Sequence, residues 1–139
     1  IMTTSSVQIA YQKALAARLA AHAPYSQFLV GACFKIQGQE KYVFGCNVEN
    51  ASYGATVCAE RVALWKWVTE RITSEKLEFV VLVTDTSNPI ATPCGMCLQV
   101  MSEFVGEDFP VYLANLQGVD RVVPFKDLLP MTFALTAKK

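Results

Sequence analysis

The chain has 139 residues, 12 basic and 12 acidic side chains, a formal net charge of zero, and 53% apolar against 17% charged residues. That length suits a single domain over 1–139, long enough to bury most of the surface its unfolded form exposes. The balanced charge, with no Lys/Arg run beyond Lys138-Lys139, excludes the basic footprint that a phosphate backbone requires, so no nucleic-acid polymer is expected as a partner. The longest apolar runs, such as Phe79 to Val83, are too short to span a bilayer, so no membrane partner is expected. The N-terminal stretch lacks the charged region, hydrophobic core and cleavage site of a secretory leader, and the expected location is cytoplasmic. Five cysteines, an odd number, argue against a disulfide framework and for metal ligation or buried thiols. The apolar share exceeds the roughly 45–50% of an average soluble domain, which points to extra burial at subunit contacts.

From Ser5 to His22, the residues Val7, Ala10, Tyr11, Ala14, Leu15 and Leu19 recur at three and four positions, predicting an amphipathic helix with a core-facing stripe. Pro24 ends it by pushing the preceding residue out of the helical region. Phe28–Ile36 and Lys41–Val48 read as a hairpin around a turn containing Gly38. After a loop from Asn47 to Thr56, helical spacing from Val57 to Ile72 predicts a second helix. Phe79–Val83 is a continuous apolar run, as in a strand covered on both faces. Thr92-Pro93 offers a capping hydroxyl and an N1 proline for a third helix that runs toward Gly106. Pro110–Ala114 and Arg121–Val123 are strands, and Phe125–Leu129 is a last short helix. This order predicts an α/β fold: three α/β/α layers around a mixed five-stranded sheet whose parallel part uses right-handed crossovers.

Chemistry concentrates in two stretches, Cys58-Ala59-Glu60-Arg61 and Pro93-Cys94-Gly95-Met96-Cys97. Cys94 and Cys97, three apart at a helix start, bring both sulfurs to one side. Alone, such a pair is equally a redox dithiol or half of a structural zinc site. Cys58 adds a third thiol. With Thr56 and Thr92 as caps, Cys58 and Cys94 fall at the second position of two helices whose N-termini converge and favour thiolates. Cys33 or Cys46 would close a four-thiolate site, but both fall in the hairpin and read as buried thiols. Three thiolates leave a tetrahedral zinc with one position for water. They also leave a net negative charge, which Arg61 is placed to offset by donating to sulfur, while Glu60 is placed to move protons. His22, the single histidine, reads as a surface or cap residue.

These motifs resemble the zinc-dependent cytidine deaminases of the small homotetrameric type, and the resemblance extends through Pro24–Ala32 and Gly45–Ala51. The three-cysteine variant with a non-ligand glutamate is a known pattern of zinc deaminases. The resemblance implies one Zn2+ per subunit on Cys58, Cys94 and Cys97, with Glu60 carrying a proton from water to N3 of cytosine and then to the leaving amine. It further implies that Asn47 and Glu49 contact the ribose and that Phe28 forms an apolar wall. The Ala59 amide would bind the base carbonyl, and Tyr53 and, from a neighbouring subunit, Phe133 would border the pocket. The expected function is hydrolytic deamination of free cytidine and deoxycytidine in pyrimidine salvage. A deaminase of a cytosine-containing antibiotic nucleoside is the alternative within the fold, and a non-catalytic zinc-stabilised binding module the alternative outside it. Two positions depart from relatives: Leu98, where arginine is frequent, and Gly54-Ala55-Thr56, in place of a proline-containing turn.

Overall fold

The computed structural model describes residue 1 and residues 3–136. Helix α1, Ser5–Arg18, begins where the Thr4 hydroxyl accepts a hydrogen bond from the Val7 amide at 3.3 Å. Its buried side is Val7, Ala10, Tyr11, Ala14 and Ala17. Leu19, expected in that stripe, is 74% exposed, and the helix stops short of His22. The reason is tertiary. His22 donates its N–H to the Asn47 carbonyl at 3.0 Å and accepts from the Glu49 amide at 2.7 Å, pairing that a helical His22 could not make.

The strands are β1 (Gly31–Ile36), β2 (Tyr42–Cys46), β3 (Leu77–Val83), β4 (Pro110–Asn115) and β5 (Gly118–Pro124). They form one sheet in the order β2-β1-β3-β4-β5, antiparallel throughout except for the parallel pair β3–β4. Helix α2 (Ala59–Glu70) follows β2, and α3 (Gly95–Ser102) supplies the crossover between the parallel strands. The short helix α4 (Phe125–Leu128) closes the described fold. Because side chains alternate along a strand, Cys33, Phe79, Val81 and Val83 pack with α1. Ala32, Phe34, Val80 and Leu82 point the other way and pack with Ala63, Leu64 and Trp67 of α2 and Leu98 and Met101 of α3. The result is the expected three-layer arrangement.

Two glycines set how closely the layers approach. A Cβ on Gly31 would lie 1.9 Å from the Ala14 carbonyl oxygen, so α1 rests directly on the β1 backbone. A Cβ on Gly45 would lie 2.8 Å from the Ala63 nitrogen, so the first turns of α2 rest on β2. The second contact fixes the end of α2 that carries the cysteine and glutamate.

Candidate active site

Cys58 and Cys94 occupy the N-cap positions of α2 and α3, both in extended conformation. Their carbonyls accept the first intrahelical bonds, from Val62 at 3.1 Å and Leu98 at 3.0 Å. This corrects the expectation that Thr56 and Thr92 cap these helices. Thr56 instead accepts from the Asn50 amide at 3.1 Å and pins the preceding loop, while Thr92 lines the pocket. Pro93 consequently lies before the cap and not at the first helical position. An extended cap residue carries its side chain off the helix end, so both sulfurs stand where the two N-termini converge. Cys97 reaches the same point from the first turn of α3 and is fully buried.

The three sulfurs lie within 4.8 Å of one another, and Cys58 and Cys94 are 3.8 Å apart. Thiolates at about 2.3 Å from a tetrahedral zinc are separated by about 3.8 Å along each edge, so the spacing fits that ion. Cys33 and Cys46 take no part. Both project to the α1 side of the sheet: Cys33 packs there in the core, and Cys46 follows Tyr42 and Phe44 in the strand alternation. Burial pushes the Cys33 thiol up to about 12.

The surroundings of the thiols are electrostatically uneven. Cys58 is pulled down to about 5, chiefly by the neighbouring Cys97 thiol and further by Arg61 and Cys94. The same bond to Cys58, together with burial, pushes Cys97 up. Arg61 Nη2 donates to Cys58 Sγ at 3.4 Å, and its guanidinium carbon lies 5.9 Å from the Trp65 ring centre. Burial works against the Arg61 charge, but its bonds to the Cys58 and Cys97 sulfurs outweigh that and raise its pKa. Glu60, in the first turn of α2, is 3% exposed. Burial pushes its carboxyl up to about 7, and the nearby Cys58 charge adds to the shift. A carboxyl in that range both takes and returns a proton near neutral pH.

Glu60, Cys58 and Cys94 open onto one cavity of about 170 Å³, which Phe28, Asn47 and Glu49 also line. Val48 and Val57 exchange backbone hydrogen bonds at 2.9 Å, closing the loop between them and setting Glu49 near Cys58. The Asn47 side chain makes two hydrogen bonds to the β1 approach and keeps one N–H and one lone pair. Its Oδ1 accepts from the Val30 amide at 2.9 Å and its Nδ2 donates to the Phe28 carbonyl at 2.7 Å. This is why β1 starts at Gly31 and not at Phe28. Ala59 is completely buried between Cys58 and Glu60. Tyr53 borders an adjoining depression of about 340 Å³ that shares Glu49 and Thr56 with the main cavity, and its ring meets Tyr25 edge-on at 6.2 Å. Phe133 is 68% exposed and does not line the cavity of its own chain; its carbonyl accepts from Gln99 Nε2 at 3.1 Å. Sequence reasoning gave no role to Thr84 and Ala91, which line the cavity from the end of β3 and the loop after it. Neither carries a local signal, because only the crossover brings that loop beside α2.

The fold and site define a metal-centred enzyme of the α/β/α class, with its ligands at two helix ends and a buried carboxyl beside them. Residues 4–113 match the family model described as the cytidine and deoxycytidylate deaminase zinc-binding region. The cytidine deaminase of Halalkalibacterium halodurans is 42% identical over 126 residues, covering 91% of this chain and 92% of that protein. Among solved structures, cytidine deaminase from Burkholderia pseudomallei superposes with a TM-score of 0.84 at 41% identity, covering 95% of this chain and 100% of that one. Cytidine deaminase from Mycobacterium tuberculosis superposes at 0.75 with 32% identity, covering 92% and 97%. The chain belongs to the cytidine and deoxycytidylate deaminase family, and Cys58, Cys94 and Cys97 are the side chains positioned to bind its zinc. Leu98 is a core residue, 6% exposed and packed in the layer of α2 and α3.

Proposed function

We propose that the protein hydrolyses free cytidine and deoxycytidine to uridine and deoxyuridine with release of ammonia, as a single domain serving pyrimidine salvage in the cytoplasm. The observation that carries this reading is the buried Glu60 carboxyl opening onto the same cavity as Cys58 and Cys94. A purely structural zinc site has no use for a neutral-range carboxyl facing a cavity. Relatives that bear the name cytidine deaminase, 42% identical over most of the chain, support the same substrate class.

When bound, zinc supplies Lewis acidity at the floor of the cavity. Glu60 takes a proton from water and delivers it to N3 of the cytosine ring as the resulting hydroxide adds to C4; it then takes the proton of the new C4 hydroxyl and passes it to the amine, so that the C4–N bond breaks, ammonia leaves and the C4 carbonyl remains. Arg61 offsets the charge that three thiolates place on the ion. The Ala59 amide donates to the base carbonyl, and Phe28 presents an apolar face to the nucleoside. Glu49 accepts from a sugar hydroxyl, and Asn47 holds the Phe28–Val30 backbone at the sugar end while presenting its amide to the same region. Tyr53 borders the entrance.

Phe133 completes the pocket of a neighbouring copy in a homotetramer. Its exposure supports this, together with Met131 at 91% and Leu135 at 81%, since so apolar a run is covered in an assembled protein. The zero net charge favours a free nucleoside over a polymer. Comparing turnover of cytidine with that of a single-stranded oligonucleotide tests the assignment: cytidine is turned over, and a preference for the oligonucleotide would overturn it.

A further inference from the structure

The Glu49 carboxylate is held almost entirely by one neighbouring turn. The Tyr25 amide donates to its Oε2 at 3.1 Å, and the Ser26 amide donates to Oε1 at 3.3 Å and Oε2 at 3.2 Å. The Ser26 hydroxyl donates to Oε1 as well. That hydroxyl in turn accepts from the Phe28 amide at 3.0 Å. Between them, Gln27 adopts φ +56°, a left-handed conformation that non-glycine residues seldom take, and donates its N–H to the Ala23 carbonyl at 2.9 Å. A hydroxyl has one proton and two lone pairs, so the Ser26 proton is used on Glu49 and one lone pair on Phe28. One side chain thereby joins the Glu49 carboxylate to the Phe28 backbone, two residues that line the same cavity, through a turn with a left-handed residue.

We propose that Ser26 is a positioning residue for the nucleoside's sugar: its hydroxyl fixes the Glu49 carboxylate and the Phe28 wall relative to each other, and so sets affinity for substrates that carry secondary sugar hydroxyls. The inference rests on the proposed deamination of cytidine and on Glu49 as the acceptor of the sugar. None of the hydrogen bonds of Ser26 goes to Glu60 or to Cys58, Cys94 or Cys97, so its effect falls on KM and leaves kcat in place.

The test compares wild type, Ser26→Ala and Ser26→Thr on cytidine and on 2′,3′-dideoxycytidine, which lacks both secondary sugar hydroxyls. Losing a charge-assisted hydrogen bond of this kind raises KM for cytidine about tenfold in Ser26→Ala, with kcat within about twofold. KM for the dideoxynucleoside rises by no more than about twofold, because only the hold on the Phe28 wall is lost there, and Ser26→Thr, which keeps a hydroxyl, restores the cytidine value. Should Ser26→Ala fail to fold, Ser26→Cys, with a weaker donor in the same place, makes the same comparison. An equal rise in KM for both substrates, a fall confined to kcat, or no change would overturn the proposal while leaving the deaminase assignment standing. Absence of cytidine turnover in the wild type would overturn that assignment and this inference with it.

Discussion

Arg61 and Cys58 face each other across the first turn of α2, guanidinium to sulfur at 3.4 Å, and among the described residues no carboxylate forms an ion pair with that arginine. The sulfur is therefore the principal counter-charge of a residue that is 8% exposed. In the proposed site this contact balances the charge of a three-thiolate zinc, and the expected outcome for Arg61→Ala is a zinc affinity lower by about 10- to 100-fold. Zinc retained against a chelator, measured in both proteins, checks it. Wild-type retention together with wild-type turnover would refute the role.

Gly31 and Gly45 make contrasting predictions from the same kind of contact. At Gly31 a methyl group would meet backbone at 1.9 Å, so Gly31→Ala separates α1 from β1 and destabilises the fold by about 3 kcal/mol or more. At Gly45 the clash, at 2.8 Å from the Ala63 nitrogen, displaces the start of α2. Gly45→Ala therefore lowers zinc content per chain more than its change in denaturation midpoint alone implies. Denaturant melts paired with metal analysis separate the two effects.

The Ser26 hydroxyl, with the Ser26 and Tyr25 amides, holds the Glu49 carboxyl below the usual carboxylate range, against a smaller opposing effect of burial. A carboxylate whose pKa is depressed on folding contributes stability that is fully present above its unfolded value of about 4.3 and is lost as pH falls through the folded value. The difference in urea midpoint between wild type and Glu49→Gln is thus constant near neutrality and shrinks below about pH 4. A difference that grows on acidification would contradict the hydrogen bonding described.

Cys33 and Cys46 lie on the sheet face opposite the three-thiol cluster, and burial keeps the Cys33 thiol protonated at physiological pH. Replacing both with alanine leaves zinc per chain unchanged, whereas Cys58→Ala, Cys94→Ala or Cys97→Ala each loses it. Elemental analysis of the purified variants decides this.

What could be read from the sequence, and what could not, divides along local and tertiary causes. The α1 stripe through Ala14, the buried run of β3 and the parallel pair all follow from periodicity and element order. The spacing of the two cysteine stretches offered three thiols to one ion, and the family resemblance assigned them to zinc. The helix caps did not, because Thr56 and Thr92 are better cap formers than cysteine by local preference; a convergent metal site overrides that preference by placing Cys58 and Cys94 at the helix ends. Leu19 and the end of α1 were misplaced because His22 pairs with a segment more than twenty residues away, at Asn47 and Glu49. The Ser26 turn is illegible for a similar reason: a left-handed glutamine has no sequence signature, and its stabilising partner, Glu49, arrives from another element.

In the proposed reaction Glu60 moves protons at a zinc centre it does not ligate. The most direct measurement is zinc content and cytidine turnover, side by side, in wild type and Glu60→Gln. Zinc near one ion per chain in both proteins is predicted, with turnover in the variant reduced by about a thousandfold or more. A variant that loses zinc along with activity, or one that keeps wild-type turnover, would contradict the account.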